Sequence, residues 1–351
     1  MYAIDVIAGN TIRGHLELRA QTVREYLDSV NNLFTDRDFD PPIDFDLDDQ
    51  PPALFYKNVK TWEAEPNRRT HLTPEFITEL AARADQDTTG LGFIATMHDW
   101  TILGRYTGIR LSEYGQKTQK RAEYHTIPHK NTKVLKAFRR GDFVFRDKKG
   151  NRILDPVRDS NRVHTLTITW RVQKNRRNGQ SITWIRDFEQ PKLCPVLAAI
   201  RIVDRSIHLG ILDDEPNGAY NEAGVRKYIT GARITKLFQS IAKWLYPDIT
   251  AKELSQYSSH MLRVTAAVLL QIAGKNSDFI QLRLRWEGDS YKMYLRDNAV
   301  MAHRHLVASV DSAAATAAYR LSPENLDDTF LQPTLVAQQP AAAVGSYEDF
   351  H

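Results

Sequence analysis

The chain has 351 residues, a formal net charge of +4 and 42% hydrophobic residues, enough apolar material for two packed domains and too much for a disordered tail. A single cysteine, Cys194, excludes a disulfide framework and any cysteine-rich zinc site. No window reaches the roughly 18 uninterrupted apolar residues of a membrane span. The opening Met-Tyr-Ala-Ile-Asp carries an acid where a signal peptide carries base, so the expectation is a soluble intracellular protein.

Val23, Tyr26, Leu27, Val30 and Phe34 recur at helical spacing and predict a helix over 22–34, with Thr22 and Glu25 as its capping box. The stretch from Asp36 to Pro52 holds seven Asp and four Pro, which can neither continue a helix nor build a core. One more short helix is expected over 53–62, then a joint at Pro66-Asn67-Arg68-Arg69. Thr73 with Pro74 signals the next helix start, and a further helix over about 91–106 stops at Gly108.

A basic run follows: Lys117, Lys120, Arg121, Lys130, Lys133, Lys136, Arg139, Arg140, Arg146, Lys148 and Lys149. The last stretch, 321–351, carries acids and no Lys or Arg, so the positive charge is concentrated upstream, a distribution that suits a polyanionic partner. Next the periodicity turns from helical to alternating. His164, Leu166, Ile168, Trp170 and Val172 share one parity and predict a strand; a second is expected over 181–186, after Asn178-Gly179, a dipeptide that favours a tight hairpin. Helices resume over 195–208, 231–246 and 260–273. A helix is expected over 297–319 and a disordered acidic tail over 321–351.

Four stretches could carry chemistry. In Tyr106-Thr107-Gly108-Ile109-Arg110-Leu111-Ser112-Glu113, a glycine ends one helix and Ser112 is placed to cap the next, which leaves Arg110 in the joint with Glu113 near enough to orient it. A guanidinium held there offers a fixed fork to a phosphate; the plainer reading is a surface turn. His260 and Arg263 stand at i and i+3 near a helix start, where backbone N–H groups already favour an anion. Lys174 falls near the hairpin tip, and Trp286 and Tyr294 come later, with Asp289 as cap of a short helix that carries Tyr291 and Tyr294. His125 with His129 and His303 with His305 do not make a metal site, because Pro128 breaks the first pair from a helix and no carboxylate-rich partner follows either.

Taken in order, an Arg, a hairpin Lys, His-x-x-Arg, an aromatic N–H donor and a Tyr resemble the tyrosine recombinase (phage integrase-like) family. The resemblance runs from about residue 15 to residue 300 and is carried by the segment around Arg110, by Ser259-His260-Met261-Leu262-Arg263, and by Arg285-Trp286 to Tyr294-Leu295-Arg296. It implies that Arg110 is the first family arginine, Lys174 the hairpin lysine, His260 with Arg263 the second basic pair, Trp286 the residue at the His or Trp position, and Tyr294 the nucleophile. Many bacterial members place the tyrosine nine residues after the His or Trp, which here is Leu295; the spacing of eight is similar to recombinases of eukaryotic mobile elements such as Cryptons. Tyr291 is the alternate nucleophile.

The resemblance further implies a mainly α (α+β) fold: a small helical, SAM-like core-binding domain over 1–70 that clamps DNA, incomplete or diverged, and a catalytic domain over 71–320 with a small antiparallel sheet. The implied reaction is metal- and ATP-free cutting and rejoining of double-stranded DNA through a 3′-phosphotyrosine, by a homotetramer on two DNA sites, in the nucleus if the host is eukaryotic. No cofactor is implied. Lys174 would protonate the leaving oxygen, while Arg68, Arg69, Lys117, Lys120, Arg121, Arg139, Arg140, Arg176 and Arg177 would contact the DNA. The alternatives are a non-catalytic DNA-binding protein on the same fold and a type IB topoisomerase.

Overall fold

The computed structural model describes residues 20–42, 69–127, 132–173, 178–286, 288 and 291–292. The chain divides into two units, Met1–Asn67 and Arg68–His351. In the first, helix α1 (Ala20–Thr35) is the described element. It begins two residues ahead of Thr22, which therefore lies within the first turn and is not the cap. The helices expected over 53–62 and 297–319 and the tail over 321–351 lie outside the described residues.

In the second unit α2 (Pro74–Ala84) starts where its sequence signals place it: the Thr73 side chain accepts from the Phe76 N–H at 3.3 Å and Pro74 occupies the first turn. Helix α3 (Phe93–Thr107) is apolar almost all round and is correspondingly central, with Met97, Trp100, Ile102 and Leu103 fully buried. It starts two residues later than the apolar pattern suggests, because Asp87 takes the Gly92 N–H at 2.6 Å and holds the preceding loop. Its one buried acid, Asp99, is met by Arg201 at 2.5 Å and Arg205 at 2.6 Å, both from α5 (Pro195–His208).

The short α4 (Leu111–Tyr114) precedes the sheets. Strands β1 (Tyr124–Ile127) and β2 (Thr132–Leu135) form a separate antiparallel pair. Strands β3 (Phe143–Arg146), β4 (Arg152–Ile153), β5 (Thr165–Trp170) and β6 (Gln180–Ile185) form an antiparallel sheet in the order β4-β3-β5-β6. Leu166, Ile168 and Trp170 enter the core, while Thr167 meets Thr183 at 2.8 Å and Thr169 meets Ser181 at 2.7 Å on the outer face. The β5–β6 connection is longer than the tight turn expected at Asn178-Gly179. Asn178 instead accepts the Gln173 N–H at 2.7 Å, and Gly179, at φ 85°, donates to Trp170. Lys174, Arg176 and Arg177 fall in that connection and outside the described residues.

A hairpin of β7 (Ala219–Glu222) and β8 (Val225–Tyr228) turns at Ala223-Gly224, both at positive φ, the backbone a two-residue turn requires. Helices α6 (Gly231–Leu245), α7 (Ala251–Leu254), α8 (Met261–Ile272) and α9 (Ser277–Leu284) follow. Together these helices and small antiparallel sheets make the unit an α+β fold. Helix α8, buried from Met261 to Val268, lies against α3 at Gly104, where an added Cβ would stand 2.9 Å from Leu262 Cδ1. That close approach places the start of α8 beside the end of α3.

Candidate active site

The end of α3 is shaped by Gly108, which takes the left-handed conformation (φ 58°, ψ 38°) that closes a helix at little cost only in glycine. Ile109 is buried, and Arg110 follows in extended backbone just before α4. Arg110 itself holds the capping position, so Ser112 is inside α4 and not its cap. Glu113 turns back on this joint. Its Oε2 accepts the Arg110 backbone N–H at 3.0 Å and its Oε1 accepts Arg110 Nη1 at 3.1 Å. The acid is almost fully buried, whereas 24% of the Arg110 side chain remains open.

Two more arginines converge on the same joint from far along the chain. Arg263, in the first turn of α8, donates Nη1 to the Gly108 carbonyl at 2.9 Å and to the Leu284 carbonyl at 3.4 Å. Arg285, just past α9, donates Nη1 to the Thr107 carbonyl at 2.9 Å and Nη2 to Glu113 Oε2 at 3.3 Å. Cations there satisfy the last carbonyls of α3 and suit the negative end of its dipole. Each guanidinium also covers an indole: the Arg263 Cζ lies 3.9 Å from the Trp286 ring centroid and the Arg285 Cζ 3.8 Å from that of Trp170.

His260 stands just before α8. Burial among neighbouring protein atoms, then the charges of Arg263, Arg69 and Arg110, push its pKa down to about 4. His260 is nevertheless an exposed residue, which softens the burial contribution. Arg263, Arg69 and Arg110 lie within electrostatic reach of this imidazole. Arg69 is anchored by a hydrogen bond to the Ser255 carbonyl. The structure thus brings Arg110, His260, Arg263 and Arg69 together.

Trp286 is buried in a small satellite core with Ala266, Ala267, Ile280, Leu284 and Tyr291. Tyr291 is fully buried, its ring centroid 6.1 Å from that of Trp286, and its hydroxyl has no hydrogen-bond partner among the described residues. Tyr294, Asp289, Lys174, Arg68, Arg176 and Arg177 lie outside the described residues. Lys117, Lys120 and Arg121 are exposed on a loop held by Gln119, whose amide donates to the Tyr228 carbonyl at 2.7 Å and accepts the Tyr228 N–H at 2.9 Å. Arg140 is paired with Asp213 at 2.6 Å, and Arg139 is half-buried.

Sequence reasoning read Arg285 only as part of a motif segment and Trp170 only as a strand position, and gave neither a role in the site. An arginine after a short helix reads as surface, and no local signal announces that its side chain runs inward. Among the described residues, no cluster of three His, Cys, Asp or Glu could hold a metal ion, and no helix is long and apolar enough to cross a membrane. A groove of about 840 Å³ lined by Arg83, Phe93, Glu222, Arg233 and Lys236 shares no residue with the arginine joint.

No family model and no curated protein matches the chain. Among solved structures, it is similar to a variant of the Tn1549 transposon integrase in complex with transposon right end DNA, at 13% identity over 84% of this chain and 81% of that one, with a TM-score of 0.38. A second structure of that integrase, in complex with circular intermediate DNA, matches at 13% identity over 83% and 79%, with a TM-score of 0.37. A likeness this distant carries no argument by itself.

Proposed function

We propose that this protein is a DNA strand transferase of the tyrosine recombinase type. The observation that carries the reading is the meeting of Arg110 and Arg263 at one joint, with a buried carboxylate fixing the first of them and His260 within electrostatic reach of both. A phosphodiester in transit through a five-coordinate state gathers charge on its non-bridging oxygens, and fixed guanidinium groups are the donors that meet it without reorganising. The order of these residues in the sequence, ending in Trp286 and Tyr294, supports the same reading.

In the proposed step the Tyr294 oxygen attacks phosphorus and the bond from phosphorus to the 5′-oxygen breaks, leaving a 3′-phosphotyrosine and a 5′-hydroxyl. His260 hydrogen-bonds the phosphate or exchanges the phenolic proton of Tyr294 as the new bond forms. Lys174 supplies a proton to the departing oxygen. A second 5′-hydroxyl reverses the step, so bond energy is conserved in the protein linkage. Arg110 and Arg263 bind the phosphate; each preorganised donor of this kind lowers the barrier by on the order of 3 kcal/mol, about 100-fold in rate.

Double-stranded DNA is the substrate, contacted along its backbone by Lys117, Lys120 and Arg121, and the working assembly is a homotetramer on two sites. Trapping on a nicked suicide duplex, with candidate sites offered as a pool, tests the reading. The expected result is a covalent adduct on a denaturing gel that survives Tyr291→Phe and is lost in Tyr294→Phe. No adduct, despite binding at low salt, would replace this reading with a non-catalytic DNA-binding protein.

A further inference from the structure

We propose that Arg285 is a positioning residue which, by sharing the buried Glu113 carboxylate with Arg110, keeps the Arg110–Glu113 side of the joint a net cation, so that it adds to Arg263 in holding a phosphate. The inference rests on the phosphate-binding reading of the joint given above.

Three charges meet here. Glu113 Oε1 accepts from Arg110 Nη1, while Oε2 accepts the Arg110 backbone N–H, the Trp170 indole N–H at 3.1 Å and Arg285 Nη2. Without Arg285, the carboxylate would cancel the Arg110 guanidinium, leaving Arg263 as the uncompensated cation of the joint, and the open edge of Arg110 would face an anion as half of a neutral pair. With Arg285 present the group of three carries one positive charge, in a setting of low dielectric where that difference is large.

Arg285 is built for this place at a local cost. It sits in the left-handed region (φ 58°, ψ 47°) as the residue closing α9, a position where glycine is the usual occupant. An arginine there accepts backbone strain that glycine would avoid, and strain kept at such a site points to a use for the side chain. That side chain is 0% exposed, sandwiched on Trp170 and tied to the Thr107 carbonyl, so it reaches no ligand itself. Burial pulls its pKa down to about 10 against the pull of Glu113, which still leaves it charged at neutral pH.

The test uses the full chain and inorganic phosphate as probe, titrated calorimetrically in wild type, Arg110→Ala, Arg285→Met, Arg285→Lys and the double variant Glu113→Gln/Arg285→Met, with circular dichroism as the folding control. We expect phosphate binding that depends on Arg110, a loss of about tenfold in Arg285→Met, and recovery to within about threefold of wild type in Arg285→Lys and in the double variant, where no carboxylate remains to be neutralised. Recovery on removing Glu113 is the readout that a merely structural role would not give. Arg110-dependent binding that Arg285→Met leaves unchanged would overturn the inference alone, as would a folded double variant no better than Arg285→Met. Wild type that binds no phosphate, or binds it equally in Arg110→Ala, would overturn the reading of the joint and this inference with it. If Arg285→Met does not fold, Arg285→Lys decides: weak binding in a folded Arg285→Lys protein contradicts the charge argument.

Discussion

The guanidinium of Arg263 lies over the indole of Trp286, Cζ 3.9 Å from the ring centroid, while its Nη1 donates to the Gly108 carbonyl at 2.9 Å. One side chain therefore joins the satellite core behind α8 to the turn that carries Arg110. Truncating Trp286→Ala should cost about 3 kcal/mol of stability through the cavity it leaves. Trp286→Phe keeps an aromatic face under Arg263 and should cost less. Chemical denaturation of the two variants checks the order, and adduct yield should follow it.

Arg110→Ala should slow adduct formation about 100-fold while leaving low-salt DNA binding nearly intact, since one donor is a small share of a backbone footprint. Arg110→Lys should rescue poorly, because a single ammonium cannot both engage Glu113 and present a fork to a phosphate. Single-turnover rates beside gel-shift affinities separate the two effects.

The histidine prediction concerns pH. His260 has a native pKa near 4 against an ordinary 6.5, so between those values the unfolded chain holds a proton that the native chain refuses. The stability it contributes is complete above about pH 6.5 and is lost progressively as pH falls toward 4. In His260→Gln, the gap between unfolding midpoints measured at about pH 7 and about pH 4.5 should narrow relative to wild type. An unchanged gap would show that burial and the neighbouring arginines do not depress this ring in the native protein.

Asp99 is the buried acid between α3 and α5. Removing it in Asp99→Ala strands Arg205, which is itself buried, and should destabilise the protein by about 3–5 kcal/mol. Thermal unfolding is the check.

Lys117, Lys120 and Arg121 stand exposed on a loop pinned by Gln119. Replacing all three by Gln should weaken DNA binding and flatten the plot of log affinity against log salt by about 0.9 for each DNA phosphate that is no longer neutralised. A slope that does not move would place the DNA elsewhere on the surface.

Elements with strong periodicity and strong end signals were legible in the residues. Helix α5 follows its apolar repeat from Pro195 to His208, and Thr73-Pro74 marks the start of α2. Strands of four residues, such as β1, β2, β7 and β8, are too short for alternation to register and are held by pairing that the sequence does not display. The hairpin of β5 and β6 formed, but its connection is longer than a tight turn at Asn178-Gly179, because the Asn178 side chain accepts the Gln173 N–H across the loop. Of the site, Arg110 with Glu113 was readable from helix-end grammar, whereas Arg285 was not: its partners are 178 and 172 residues away, and nothing near it in sequence indicates an inward path.

The two carbonyls that end α3 are satisfied by arginines 155 and 178 residues further on. A chain still emerging from the ribosome thus holds Arg110 and its whole helix long before it holds the groups that lock them. A polypeptide interrupted ahead of Arg285 lacks the guanidinium that satisfies the Thr107 carbonyl and the second arginine on Glu113. The centre is thus closed by contacts that span more than half the length of the chain.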